Sequence, residues 1–247
     1  MVRSFSELSN FLNNEKAIGC FVDTTILFSA TYHLDSFNSE SEIAFDLLAD
    51  AKVPPFTNIN VRAEFLESHR RILIPEGLSD FLEDFQSELD GSLLEKLKAN
   101  RTSYRKKISD GKSAKMDVNQ IKNFRLLLGA FQAGEENGWD LFCRHYLHGK
   151  LEPIWPETQE TFDLNFISIR SEDENEFLSS TPRWEQAVSL MGRYGIASSD
   201  AMILNMFLCS KIPVLLTADL EMAEVADKES QGKKAIFTPG GLMNIGD

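Results

Sequence analysis

The chain has 247 residues, 43% of them hydrophobic and 26% charged, with a formal net charge of −13. That length supports one large domain, or one domain carrying a sizeable insertion. The acidic balance excludes a general polyanion binder, so a nucleic-acid role needs a local basic patch or metal ions.

Along the chain, Phe5, Leu8, Phe11 and Leu12 recur at helical spacing over residues 4–14, with Ser4 or Ser6 as the cap. This N-terminal stretch has no long apolar core, so no signal peptide is expected. AIGCFVD (17–23) reads as a short buried strand ending on Asp23. Residues 39–51 form an amphipathic helix with Ile43, Leu47 and Leu48 on one face. VPPFTN (53–58) is extended, its prolines suiting an edge or a strand start. Residues 59–73 return to helix and carry Glu64.

The middle is rich in helix formers. PEGLSDFLEDFQSELDGSLLEKL, NQIKNFRLLLGAFQAG and WDLFCRHYLHG each read as helix, and FDLNFISI (162–169) is the lone strand candidate there. The C-terminal part alternates again: helix 183–195 stopped by Gly195, apolar helix 198–211 capped by Ser198 or Ser199, strand 212–219, helix 220–230 and strand 234–241. All-apolar strands alternating with helices predict an α/β fold with a parallel sheet covered on both faces. The domain reading is a core of 1–74 and 161–247 with a mainly helical insertion at 75–160.

Cys20, Cys143 and Cys209 are scattered and give neither a disulfide framework nor a zinc pattern. Together with the absence of any apolar run approaching ~18 residues, they predict a cytoplasmic chain with no membrane span. Cys143, His145 and His148 have spacing that fits no standard zinc site. DGKS (110–113) is not a phosphate loop, because residue 106 is Lys and no strand precedes it. Trp139, Trp155 and Trp184 read as packing residues.

Four acids sit where a strand or turn gives way to a helix: Asp23, Glu64, Asp200 and Asp219. Each is flanked by apolar residues, and a carboxylate at a core edge needs a partner. Individually each has a plain alternative: Asp23 and Asp219 as helix caps, Asp200 as a first-turn acid, Glu64 as a solvated helix residue. In parallel sheets ligands bind beyond the carboxyl ends of the strands, where Asp23 and Asp219 fall. If the four converge, they suit a hard cation such as Mg²⁺ or Mn²⁺.

Charge is unevenly placed. Residues 95–125 hold ten basic residues (Lys96, Lys98, Arg101, Arg105, Lys106, Lys107, Lys112, Lys115, Lys122, Arg125) and three acidic ones (Glu95, Asp110, Asp117). The segment is therefore +7, which leaves −20 on the rest of a chain at −13. Tyr104 and Phe124 within it offer stacking surfaces. A solvated face is the alternative for this segment.

VDTTILFS, the Glu of VRAEFLE, YGIASSDAMIL and VLLTAD together resemble the PIN domain, a metal-dependent nuclease family. The resemblance covers about 17–74 and 182–240. It implies a three-layer α/β/α core and a divalent-metal-dependent endoribonuclease. Asp23, Glu64, Asp200 and Asp219 would hold Mg²⁺ or Mn²⁺, with Thr24 and Thr217 orienting the carboxylates. The expected partners are an RNA substrate, an antitoxin or other protein, and a second copy of the chain. Where the family often has Asn two residues after the first Asp, this chain has Thr25. A catalytically silent PIN-like module is the competing reading. A phosphatase using an aspartyl nucleophile is a third, but D-T-T lacks the second Asp such enzymes use.

Overall fold

A computed structural model describes residues 1–169 and 176–240. It divides into two compact units, one of residues 1–65 and 158–247, the other of residues 66–157.

The first unit opens with strand β1 (Val2–Ser4), a 3₁₀ turn (Phe5–Glu7) closed by a Ser4–Glu7 capping box, and helix α1 (Leu8–Asn14). Strand β2 (Cys20–Val22), helices α2 (Thr24–Thr31) and α3 (Asn38–Asp50), and strand β3 (Pro55–Thr57) follow. Helix α4 (Ile59–Phe85) starts in this unit, enters the second at Leu66 and continues through Pro75. Its 27 residues join what the sequence divides at 73, and they run across the predicted insertion start at 75.

The second unit is helical: α5 (Gly91–Ser109), α6 (Val118–Ala130), a small antiparallel hairpin of β4 (Gln132–Ala133) and β5 (Glu136–Asn137), then α7 (Gly138–Phe142), a π-helical turn (Cys143–His148) and α8 (Gly149–Leu151). Its core includes Leu78, Phe81, Leu97, Leu128 and Phe142, each fully buried. Phe81 stacks on Phe85 with ring centroids 4.8 Å apart and meets Phe142 edge-on.

Helix α9 (Ile154–Thr161) returns the chain to the first unit, which continues with β6 (Asn165–Phe166), α10 (Trp184–Tyr194), α11 (Ser198–Cys209), β7 (Val214–Leu216), α12 (Leu220–Ser230) and β8 (Ala235–Thr238). One six-stranded sheet runs in the order β1-β8-β7-β2-β3-β6, and all five of its ladders are parallel. Every residue of β2 and β7 is fully buried, as a parallel sheet covered on both faces requires. The fold is therefore α/β with a parallel sheet.

Several local expectations change. On α3 the buried face is Ser41, Ala44, Phe45 and Leu48, and Ile43 is 56% exposed. Phe45 takes the inward position by stacking on Phe162 at 4.1 Å. The predicted strand 162–169 is reduced to Asn165–Phe166, with Asp163 before it at φ 48°. Neither Ser198 nor Ser199 caps α11: the extended residue before it is Ala197, so both serines fall inside the first turn. Strand β1 has no counterpart in the sequence reading. Trp155 is buried as expected, whereas Trp184 is 58% exposed. Gly195 does stop α10 in the left-handed conformation, at φ 75°. Gly241, the last residue of the last predicted strand, lies outside the described residues.

Candidate active site at the carboxyl edge of the sheet

Neighbouring strands β2 and β7 end level with one another. Val22 pairs with Leu216, and the Asp23 N–H donates to Leu216 O at 3.0 Å. The next residues, Asp23 and Thr217, are therefore adjacent at the carboxyl edge. Asp23 is 3% exposed and N-caps α2. Its Oδ2 accepts from the Thr217 hydroxyl at 2.8 Å and the Thr25 hydroxyl at 2.6 Å.

The hydroxyls tie the two strand ends together. Thr25 Oγ1 accepts the Ala218 N–H at 2.9 Å, so its own proton is left for Asp23. Thr217 Oγ1 likewise accepts the Asp219 N–H at 3.0 Å. Asp219 caps α12 by accepting from Met222 N at 2.9 Å. Thr24, next to Asp23, donates to Glu64 Oε2 at 2.8 Å and so reaches α4. Three threonines thus fix Asp23 and Glu64 and anchor the turn before Asp219. The resemblance assigns Thr24 and Thr217 to orienting carboxylates. Thr25 enters it only as the residue standing where the family often has Asn.

Asp200, half-buried in the first turn of α11, joins the others through its field. Its carboxyl is pushed up to about 7, first by burial and then by the charges of Glu64, Asp219, Asp23 and Glu221. Burial also raises the Asp23 carboxyl, against the hydrogen bonds of Thr25, Thr217 and the Thr24 backbone; the Glu64 charge adds to the rise. The other three predicted acids therefore lie within electrostatic reach of Asp200, and Glu64 within reach of Asp23. Glu221, exposed in the first turn of α12, is a fifth acid that the sequence reading does not single out. Its only signal is its place two residues after Asp219.

Among the described residues, no three His, Cys, Asp or Glu side chains are grouped so that they could hold a metal ion. The two facts operate over different distances. Charges couple over many ångströms, whereas Mg²⁺ needs oxygen at about 2.1 Å. The acids fit a hard divalent cation in donor chemistry, all carboxylate oxygen. The C-R-H-Y-L-H run forms the π-helical turn, where Arg144 pairs with Glu136 and His148 lies 3.4 Å from Glu152.

The second unit holds the basic residues. Lys96, Lys106, Lys107 and Lys112 are exposed, with no acid in salt-bridge range among the described residues. Four others of the ten are engaged. Arg105 pairs with Glu83 at 2.9 Å, Arg101 lies 3.8 Å from the same oxygen, Lys98 meets Glu95 at 3.6 Å, and Lys115 donates to Ser68 Oγ at 3.3 Å. No described helix is long and apolar enough to cross a membrane.

No protein-family model, curated protein or solved structure matches the chain.

Proposed function

We propose that this chain is a divalent-metal-dependent endoribonuclease with a PIN-like three-layer α/β/α core, and that Asp23, Glu64, Asp200 and Asp219 hold Mg²⁺ or Mn²⁺. The observation that carries this reading is the raised Asp200 carboxyl, with the charges of Glu64, Asp219 and Asp23 behind it. Carboxylates crowded at a half-buried edge resist ionising together, and a cation between them relieves that cost. Such an ion supplies a bound water of lowered pKa and neutralises charge on phosphoryl oxygens.

The chain's own groups do the positioning. Thr25 and Thr217 hold Asp23 Oδ2, and Thr24 holds Glu64 Oε2, so these carboxylates keep a fixed orientation. In this reading Lys96, Lys106, Lys107 and Lys112 meet the RNA backbone. The strongly acidic remainder repels it, so binding depends on that local patch.

The ungrouped state of the acids favours a second reading, a catalytically silent PIN-like module that binds RNA or a protein. The test is cleavage of labelled RNA by the purified chain in Mg²⁺ or Mn²⁺. The nuclease reading expects cutting that stops in chelator and falls at least ~100-fold in Asp23→Asn. RNA binding without cutting supports the silent module. Cutting undiminished in both chelator and Asp23→Asn overturns the four-acid site.

A further inference from the structure

Asn58 stands on the other side of Asp23 from Thr217. Strand β3 pairs with β2 in the register Cys20 to Pro55 and Phe21 to Phe56. Carried two residues beyond the last of these pairs, the register would set Asp23 level with Asn58. On the β7 side, Val22 pairs with Leu216, and the next pair, Asp23 and Thr217, meets side chain to side chain at 2.8 Å. The ends of these strands thus carry three polar residues, Asn58, Asp23 and Thr217, each at most 3% exposed.

The Asn58 side chain has one half committed. Its Oδ1 accepts from the N–H groups of Asn60 and Val61, both at 3.0 Å, and so caps the helix that carries Glu64. Those two donors fix which end of the amide is oxygen. Its Nδ2 therefore presents two N–H donors, fully buried, and among the described residues nothing accepts from them. A buried donor left without an acceptor destabilises the fold, and native structures usually meet it with a side chain or an ordered water.

We propose that Asn58 is a positioning residue of the carboxylate site: its Nδ2 donates, through one buried water, to the Asp23 carboxylate. The Thr25 N–H, the Thr25 hydroxyl and the Thr217 hydroxyl all donate to Oδ2. Donation from the β3 side fixes the carboxylate from the opposite flank. The Asn58 amide and the Asp23 carboxylate supply two of the polar partners a buried water needs. Capping and positioning are then done by opposite ends of one amide, which links the helix of Glu64 to the orientation of Asp23. The part of this proposal that concerns metal rests on the nuclease reading above.

The test uses the full chain and two variants. Asn58→Ser and Asn58→Thr each keep an oxygen acceptor for the helix cap, and each removes the amide donors. Both should unfold in chelator within a few degrees, about 5 °C, of the wild type. Their Mn²⁺ affinity by calorimetry should fall about 10–100-fold, the range for a lost partner of a metal-binding carboxylate. A residue that only caps leaves Mn²⁺ affinity unchanged in both variants, and that result overturns the proposal. A wild-type chain that takes up no Mn²⁺ overturns the ion site instead. In that case a high-resolution crystal structure decides for Asn58. A water bridging Nδ2 and Asp23 upholds its positioning role, and density without one overturns it.

Discussion

The Thr217 hydroxyl donates to Asp23 Oδ2 across 2.8 Å, joining residues 194 positions apart in the chain. Thr217 is fully buried and Asp23 nearly so. The bond spans the boundary between two adjacent parallel strands, where both have just run out of ladder partners. It sets the orientation of the most buried acid of the site, and the same hydroxyl accepts the Asp219 N–H.

Thr217→Val keeps the shape of the side chain and removes both bonds. It leaves a buried carboxylate oxygen short of a donor, and should cost about 1–3 kcal/mol in urea unfolding. Thr217→Ser should stay within about 1 kcal/mol of the wild type, since it keeps the hydroxyl. Equal losses in the two variants would trace the effect to packing of the methyl group.

The Asp200 carboxyl sets a pH dependence whose sign can be worked out. It titrates at about 7 in the folded chain, above its ordinary 3.8. Between those values the folded chain holds a proton that the unfolded chain has lost. Stability from this group is therefore full below about pH 4 and is lost as pH rises through about 7. Melting temperature without metal should fall across that window and fall less in Asp200→Asn. Mn²⁺ affinity should run the other way, rising towards pH 8, because the ion binds the ionised carboxylate.

Lys234 holds the far end of the Asp200 helix. Its Nζ donates to the carbonyls of Phe207 at 2.8 Å, Ser210 at 2.8 Å and Ile212 at 2.7 Å, and lies 4.3 Å from the Phe207 ring centroid. Lys234→Met keeps the aliphatic stem and removes every donor. A charged hydrogen bond contributes about 1.5–3 kcal/mol, so the variant should lose at least about 2 kcal/mol by chemical denaturation. A change below about 0.5 kcal/mol would mean that solvent takes over those carbonyls.

The exposed lysines of the second unit make a salt-dependence prediction. Charge reversal at Lys96, Lys106, Lys107 and Lys112 should weaken RNA binding across all sequences. It should also flatten the plot of log affinity against log salt, by about 0.7 for each phosphate of a single strand that is no longer neutralised. Filter binding at several salt concentrations measures it. An unchanged slope assigns RNA binding to another surface.

Much of this was legible because the strands are wholly apolar and the acids mark their ends. AIGCFVD and IPVLLTAD each announce a buried strand with an Asp beyond it, and both strands sit side by side in the sheet. Helix 220–230 appears with the bounds the sequence suggests. Other features depended on tertiary packing. Ile43 and Phe45 are equally apolar, and only the stack on Phe162 decides which one turns inward. Thr25 looks like any residue in a helix's first turn until Ala218 arrives from the other end of the chain. Asn58 is only the end of the extended VPPFTN segment in the sequence, and its cap on the helix of Glu64 shows only in the structure. The electrostatic influence of Glu64, Asp219 and Asp23 on Asp200 depends on tertiary placement, which a linear pattern does not encode.

The most direct measurement is anomalous diffraction from crystals of the full chain soaked in Mn²⁺. The account predicts one or two peaks bounded by Asp23, Glu64, Asp200 and Asp219, with carboxylate oxygens about 2.1–2.3 Å from each ion, and none in crystals of Asp23→Asn. Soaked crystals that show the four carboxylates apart and no peak between them would contradict it.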